Sequence, residues 1–452
     1  MTTYNSNNYN ADTICAPATP PGMGAIAIIR MSGKNSLPIV LGIFKDSVSK
    51  ITSVNIKDRY QYFGQIYDGD KLLDEVLVSY FKAPHSYTGE DVVEISCHGS
   101  EFIQSALVQL LIEKGARMAS PGEFTMRAFL NGKMDLSQAE AVADLIASES
   151  ISAHKMAIQQ MRGGFSHKIT DLRNKMVEFA SLIELELDFS EEDVEFADRS
   201  RFLELVGKIK TELIQLKNSF KMGNVLKKGI PVAIVGKPNT GKSTLLNAIL
   251  NEEKAIVSEI PGTTRDAIED TIALEGYSFR FIDTAGLRRS DDMIENKGIE
   301  ITRDKINQAS LILYVCDISE EDKQGIGEIL EEFKSYIQDN GRHFILVVNK
   351  IDMLKEIPAH FKEFLELETV FVSAKRKENI HLLAEALVNH VKNDSLTDEI
   401  LVNNSRHFEA ISNALNSIES IEYGFHKNIP TDLITIDIRQ ALYYLGSITG
   451  EV

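Results

Sequence analysis

The sequence predicts a multidomain chain: an N-terminal α+β domain, then a discontinuous α-helical domain, with an α/β domain inserted between its two parts. Three observations predict this. β-Branched apolar runs are confined to residues 13–120 and 229–391; helical periodicity alone governs 137–222 and returns from about 392; and a glycine-rich loop opens the inserted block. At roughly 150 residues per domain, 452 residues suggest two to four domains.

Element by element, AIAIIR (25–30), DEVLVSYF (74–81) and DVVEIS (91–96) read as strands. Glu101–Gly115 reads as an amphipathic helix with a stripe of Phe102, Ala106, Leu107, Leu110 and Leu111. From Pro121 the period changes, and Ser137-Gln-Ala-Glu140 reads as a capping box opening a helix with Leu136, Ala139, Val142, Ala143, Ile146 and Ala147 on one face. Further helical runs cover about 166–189 and 200–222. Then IPVAIVG (230–236), SFRFID (278–283), SLILYVCD (310–317), HFILVVNK (343–350) and TVFVSA (369–374) alternate with helical segments. Continuous apolar strands of that kind belong to a parallel sheet covered on both faces. Ile411, Leu415, Ile418 and Ile421 mark the closing helical block. The expected domains are 1–120, 121–222, 223–391 and 392–452, the second and fourth packing together.

Composition narrows the function classes. Lys plus Arg number 48 against 66 Asp plus Glu, a net charge of −18, which argues against a general nucleic-acid coat. A hydrophobic content of 43% with 25% charged residues excludes bulk disorder. Cys15, Cys97 and Cys316 are too scattered for a disulfide framework or a zinc site and read as core thiols. No apolar run reaches about 18 residues, and the Asn-rich start has no signal-peptide pattern. The expectation is a cytoplasmic protein with no membrane span.

The strongest chemical signal is Gly236-Lys-Pro-Asn-Thr-Gly241-Lys242-Ser243, between a strand and a helix. Its glycines let backbone N–H groups curl around phosphates, Lys242 suits the β/γ oxygens, and Ser243 offers its hydroxyl to Mg²⁺. Asn239, Thr240 and Thr244 belong to the same loop and helix start. Asp283-Thr284-Ala285-Gly286 ends the next strong strand, where a carboxylate can hold Mg²⁺ through water. Thr264, within Gly262-Thr263-Thr264-Arg-Asp266, can complete the metal shell when a γ-phosphate is present. Asn349-Lys350-Ile-Asp352 suits the guanine N1–H and N2 amine, and Ser373-Ala374-Lys375 would place a backbone N–H on O6. In this order, each at a strand's carboxyl end, they specify GTP.

Leu287 follows Gly286, where many GTPases carry a polar residue that orients the attacking water. Water positioning must then come from elsewhere, with Asp291, Asp292, Glu295 and Glu300 as candidate acids. A cation must also meet the transition-state charge, either Arg288 or a monovalent ion.

Together with DTICAPATPPGMGAIAIIRMSG (12–33), SYTGEDVVEISCHG (86–99) and PGEFTMRAFLNGKMDLSQAEAVADLI (121–146), these motifs resemble the MnmE (TrmE) family of tRNA-modification GTPases over nearly the whole chain. The resemblance implies a Ras-like P-loop G domain inside the helical domain. It implies a homodimer joined through the N-terminal domain, with 5-formyltetrahydrofolate or another tetrahydrofolate one-carbon derivative bound there by Arg30, Glu94 and Lys133. It also implies K⁺ beside the phosphates on Asn239, Ser258, Ile260 and Thr263, GTP-dependent G-domain pairing, Glu295 as the acid aligning water and Arg288 as a switch residue. With an MnmG-type flavoprotein, such a protein adds a carboxymethylaminomethyl-type group to C5 of the wobble uridine of certain tRNAs. Family members carry a short Cys-apolar-Gly-Lys tail after the Gly-x-Ile-Thr-Gly-Glu-Val seen here at 446–452, so a shortened chain that still hydrolyses GTP is expected.

Two other classes compete: a GTP-dependent assembly switch in ribosome biogenesis, and a dimeric scaffold with a vestigial nucleotide site. The blocks at 12–33 and 86–99 weigh against the first, and intact Lys242, Ser243 and Asp283 against the second. Lys208, Lys210, Lys217, Lys221, Lys227 and Lys228 form a local basic run, read as a solvated face.

Overall fold

The computed structural model describes residues 12–46, 56–188, 199–252, 270–282, 306–320, 323–337, 342–353, 368–394 and 401–451. It divides into two compact units, Met1–Ala143 and Asp144–Val452.

The first unit carries β1 (Ile14–Pro17), β2 (Ile26–Ser32), α1 (Ser36–Leu41), β3 (Phe44–Asp46), β4 (Tyr60–Asp68), β5 (Lys71–Phe81), β6 (Val92–His98), α2 (Glu101–Glu113), β7 (Arg117–Met118), α3 (Glu123–Leu130) and the start of α4 (Leu136–Ile146). Its strands form one sheet in the order β3-β4-β5-β6-β2-β1-β7, antiparallel except where β1 meets β7. Alternation along β5 turns Val76, Val78 and Tyr80 inward, where they join Ile29, Met31, Val93, Ile95 and the α2 leucines. Each such side chain stabilises the fold by about 1.5–3 kcal/mol.

Three expectations change here. Phe102 is exposed, whereas Leu107, Leu110 and Leu111 are buried. Five residues before Leu107, it lies about 140° around the helix from that leucine. The first unit extends past residue 120, because α3 is tied to the sheet through a buried ion cluster. Arg127, fully buried, bonds Glu123 and Glu90, and Arg117 of β7 bonds Glu123 at 2.7 Å. Finally, the box at the start of α4 is Asp135–Gln138, not Ser137–Glu140. The Gln138 N–H donates to Asp135 Oδ1, and the Asp135 N–H donates to Gln138 Oε1, each at 2.9 Å.

The second unit runs α5 (Ile151–Met161), α6 (Gly164–Asp188), α7 (Arg199–Lys228), β8 (Ile230–Val235), α8 (Lys242–Glu252), β9 (Asp270–Leu274), β10 (Tyr277–Phe281), β11 (Leu311–Asp317), α9 (Lys323–Ile337), β12 (His343–Asn349), β13 (Thr369–Phe371), α10 (Ile380–Asp394), α11 (Ser405–His426) and α12 (Thr431–Thr449). α6 and α7 share one core with α11 and α12, so the two helical blocks do pack together across the insert. α7 continues to Lys228 instead of stopping near 222. Gly223 does not break it; a Cβ there would run into the Val402 carbonyl, so the glycine permits a close approach.

The strands are ordered β13-β12-β11-β8-β10-β9. β8 and β10 to β13 are parallel, and β9 is an antiparallel edge strand with no counterpart among the expected strands. Both faces are covered. Leu311, Leu313 and Val315 of β11 pack with residues of α8 and α10; Ile312, Tyr314 and Cys316 pack with residues of α9. All three cysteines are buried and none is in a disulfide. Among the described residues no helix is long and apolar enough to cross a membrane.

Candidate functional site

β8 is buried throughout, and the chain leaves it at Gly236, whose φ is +145°. A Cβ at Gly236 would strike the Val315 carbonyl of β11, so only glycine lets the loop start there. The loop then turns through Asn239 (φ +61°) and Gly241 (φ +93°) into α8. This places a run of backbone N–H groups at a helix N-terminus, the arrangement that binds phosphate. Thr240 is buried and its Oγ1 donates to the Lys237 carbonyl at 2.9 Å. Lys242, the first residue of α8, donates from Nζ to the carbonyls of Gly236 (2.8 Å) and Lys237 (2.6 Å). Burial lowers its pKa from the usual lysine range. Ser243 and Thr244 follow in the first turn of α8.

Across the sheet edge, Asn349 ends β12 at 2% exposure. Its Nδ2 donates to the Thr240 carbonyl at 2.8 Å, and its Oδ1 accepts the Ala374 N–H at 3.0 Å. One side chain thus ties the phosphate loop to the loop after β13. Lys350 takes a left-handed backbone (φ +67°) and its Nζ pairs with Asp317 Oδ2 at 2.5 Å. Asp317 ends β11 and also accepts the N–H and Oγ of Ser319. Burial opposes its ionisation, but the bonds from Lys350 and Ser319 outweigh burial and leave the pKa lowered. Asp352 lies in a short 3-10 turn and accepts the Ser373 Oγ at 2.6 Å. That bond, the main cause, holds its carboxyl below the ordinary range. Ser373 is itself fixed by paired backbone bonds with Glu378, and Lys375 is exposed beside it.

Gly236, Asn239, Thr240, Gly241, Lys242, Ser243, Thr244, Asn349, Lys350, Asp352, Ser373, Ala374 and Lys375 therefore gather at the carboxyl ends of β8, β12 and β13. Asp317 was missed: its only signal was an acid ending an apolar run, and its partner lies 33 positions away in Lys350. Ser258, Ile260, Thr263, Thr264, Asp283, Thr284, Ala285, Gly286, Leu287, Arg288, Asp291, Asp292, Glu295 and Glu300 lie outside the described residues.

In the first unit, Arg30 of β2 and Glu94 of β6 are register partners, bonded at 2.8 Å. The Arg30 guanidinium lies 5.4 Å from the Tyr87 ring centroid and 5.9 Å from that of Phe124. Tyr87 and Thr125 share a hydroxyl–hydroxyl bond at 2.8 Å. Lys133 donates to the Pro84 carbonyl at 3.0 Å, so it is anchored to the same loop that carries Tyr87. Arg30 and Glu94, which without the resemblance would be a strand-end surface residue and a solvent-facing acid, are an ion pair beside two aromatic rings.

A phosphate loop and a carboxylate poised for a guanine edge, set along the carboxyl ends of one wound sheet, define a P-loop GTPase. Family models agree on the rest of the chain: the "GTP-binding protein TrmE N-terminus" matches residues 13–133, and the "MnmE helical domain" matches residues 136–452. Proteins called "tRNA modification GTPase MnmE" from Flavobacterium psychrophilum and Flavobacterium johnsoniae are 51% and 50% identical, each over 98% of this chain and 96% of the relative. The Bacteroides fragilis protein of the same name is 49% identical over the same shares. The chain belongs to the MnmE (TrmE) family and is a GTP hydrolase.

Proposed function

We propose that this GTPase acts in tRNA modification, and that with an MnmG-type flavoprotein it adds a carboxymethylaminomethyl-type group to C5 of a wobble uridine. GTP hydrolysis drives domain rearrangement in this scheme and does not itself make the new bond. The observation that carries the nucleotide choice is Asp352. Ionised and oriented by Ser373, it offers two acceptor oxygens at the sheet edge, matching guanine's N1–H and N2 amine, where adenine has no such donor pair.

Ser243 and Thr264 would hold Mg²⁺, and hard oxygen donors at a phosphate site fit that ion. Asn239, presented by its left-handed backbone, would offer K⁺ a side-chain oxygen, together with Ser258, Ile260 and Thr263. Thr263, Asp283, Thr284, Ala285 and Gly286 would complete the nucleotide site, with Glu295 aligning water and Arg288 a switch residue. K⁺ would meet the transition-state charge, and Glu295 would take over the water positioning that Leu287 cannot provide.

The first unit would bind a tetrahydrofolate derivative, 5-formyltetrahydrofolate among the candidates, and form the homodimer. Arg30 fits this ligand: Glu94 takes one edge of its guanidinium, and donors remain for a carboxylate beside two rings that suit a flat heterocycle. Lys133 would meet the acidic tail. For tRNA, three lysines of the basic run are already paired: Lys208 with Glu204, Lys210 with Glu419 and Glu422, and Lys227 with Asp144. The partner would therefore supply much of the phosphate contact.

Asp352→Asn tests the base assignment. The amide loses guanine's donors but can donate to the extra carbonyl of xanthine, so GDP affinity should fall at least about 100-fold while XDP affinity rises. Unchanged GDP binding would refute it. GTP turnover should be faster in K⁺ than in Na⁺; equal rates would remove the monovalent cation.

A further inference from the structure

α5 lies between two structures that the nucleotide site needs held in register. One face enters the α/β core: Met156 is 7% exposed and sits in the same apolar cluster as Phe279 and Phe281 of β10, with Tyr277 packed against it. At the start of α5, Ser150 caps the helix by accepting the Ala153 N–H at 3.1 Å. The next N–H in line, Ser152, donates at 3.1 Å to the carbonyl of Gly276, in the turn between β9 and β10. A helix's first-turn donors have no partner within the helix, so this bond uses a group that would otherwise need water. Gly276 has φ +90°, and a Cβ there would come within 3.1 Å of Ile151 Cβ and Cδ1. The same turn is held from α10, where Lys392 pairs with Glu275 at 2.6 Å. Ala153, Ala157 and Gln160 are buried along the same stripe as Met156, and toward the helix's far end Gln160 donates to Asn403 at 3.1 Å just before α11. Asn403 in turn reaches Asp144, which pairs with Lys227 at the end of α7.

The sequence gives this clamp its meaning. β10 ends at Phe281, two residues before Asp283, and β9 begins six residues after Thr264. The β9–β10 hairpin therefore joins both motifs that meet the γ-phosphate, and α5 grips its far turn. We propose that Ile151, Ser152 and Met156 of α5 are positioning residues for GTP hydrolysis: the helical block sets the hairpin through them, and the nucleotide acts back on the helical block along the same path. The proposal rests on the assignment of Asp283 to the metal and water motif. No residue of α5 touches nucleotide in this scheme.

Because the coupling is through position, Met156→Ala should lower kcat for GTP about fivefold or more while KM and GDP affinity stay within about twofold. Met156→Leu should restore the rate by refilling the same space. A kcat equal to wild type in Met156→Ala, or a parallel loss of GDP affinity, would overturn the positioning role and leave the GTPase assignment standing. A wild-type chain that neither binds nor hydrolyses GTP would overturn both. Should Met156→Ala not fold, amide exchange in the wild-type chain decides. Linkage requires the Ser152 N–H to exchange at least about threefold differently with GDP and with a non-hydrolysable GTP analogue bound. Equal exchange would overturn the proposal.

Discussion

Asn349→Ala isolates the side chain that joins the phosphate loop to the base loop. Removing it leaves two groups without partners, the Thr240 carbonyl and the Ala374 N–H, in residues that are 1% and 4% exposed. Each buried orphan costs about 1–3 kcal/mol, or about 2–6 kcal/mol together. In the nucleotide-free protein the two loops can part slightly and admit water, which recovers some of that cost. Binding must then close them again, so roughly 2–4 kcal/mol is charged to the nucleotide. That converts to a Kd raised about 30- to 1000-fold. GDP and GTP should lose affinity equally, because Asn349 lies on the base side and reaches no γ-phosphate group. Titration calorimetry with each nucleotide measures this, with far-UV circular dichroism as the check on folding. A folded variant whose Kd stays within about threefold of wild type would refute the link between the loops.

Asp317→Asn keeps an acceptor for Ser319 but removes the charge that holds Lys350; GDP affinity should fall about tenfold with no gain for XDP, and a changed base preference would show that Asp317 touches the base. Glu123 is held at about 2: burial pushes it up, but bonds from Arg117, the Ser120 N–H and Arg127 outweigh burial. A folded pKa below the unfolded one means about 3 kcal/mol of stability present above pH ~4.5 and lost as the pH falls toward 2. Thermal melts across that window should show the loss in wild type and not in Glu123→Gln. Burial pushes the thiols of Cys15 and Cys97 up to about 11, so both should resist iodoacetamide at neutral pH until denaturant is added, and rapid labelling of the folded chain would contradict that.

What the sequence made legible was whatever depends on neighbours in the chain. The apolar strands of the α/β block, the helical period around it and the glycine positions of the phosphate loop are local signals, and each appears where the pattern put it. The errors have a common origin. Ser137–Glu140 fits a capping box as well as Asp135–Gln138 does on residue type alone, and only the true first turn of α4 selects between them. Residue 120 looked like a boundary because the period changes there. The boundary is set instead by Arg127, whose partners Glu90 and Asp12 are 37 and 115 positions away. β9 escaped notice because it is a five-residue edge strand, two polar residues followed by three apolar ones, with no clear alternation.

The same distinction separates recognising the site from understanding it. A motif names the groups that face a ligand, since phosphates and guanine demand particular donors and acceptors at particular spacings. It does not name the groups that hold those donors still. Asp317 steadies Lys350, Ser373 aims Asp352, and Asn349 spans two loops, each through partners that only the fold brings within 3 Å. Charge obeys the same logic. Six lysines between 208 and 228 form a basic run that the sequence marks as a solvated face, and three of them end in ion pairs with acids from α7, α4 and α11. A chain of net charge −18 that pairs half of its own basic run with acids has little left with which to hold tRNA unaided. Its own binding to tRNA should therefore depend only weakly on salt, and a steep dependence should appear only once a basic partner is present.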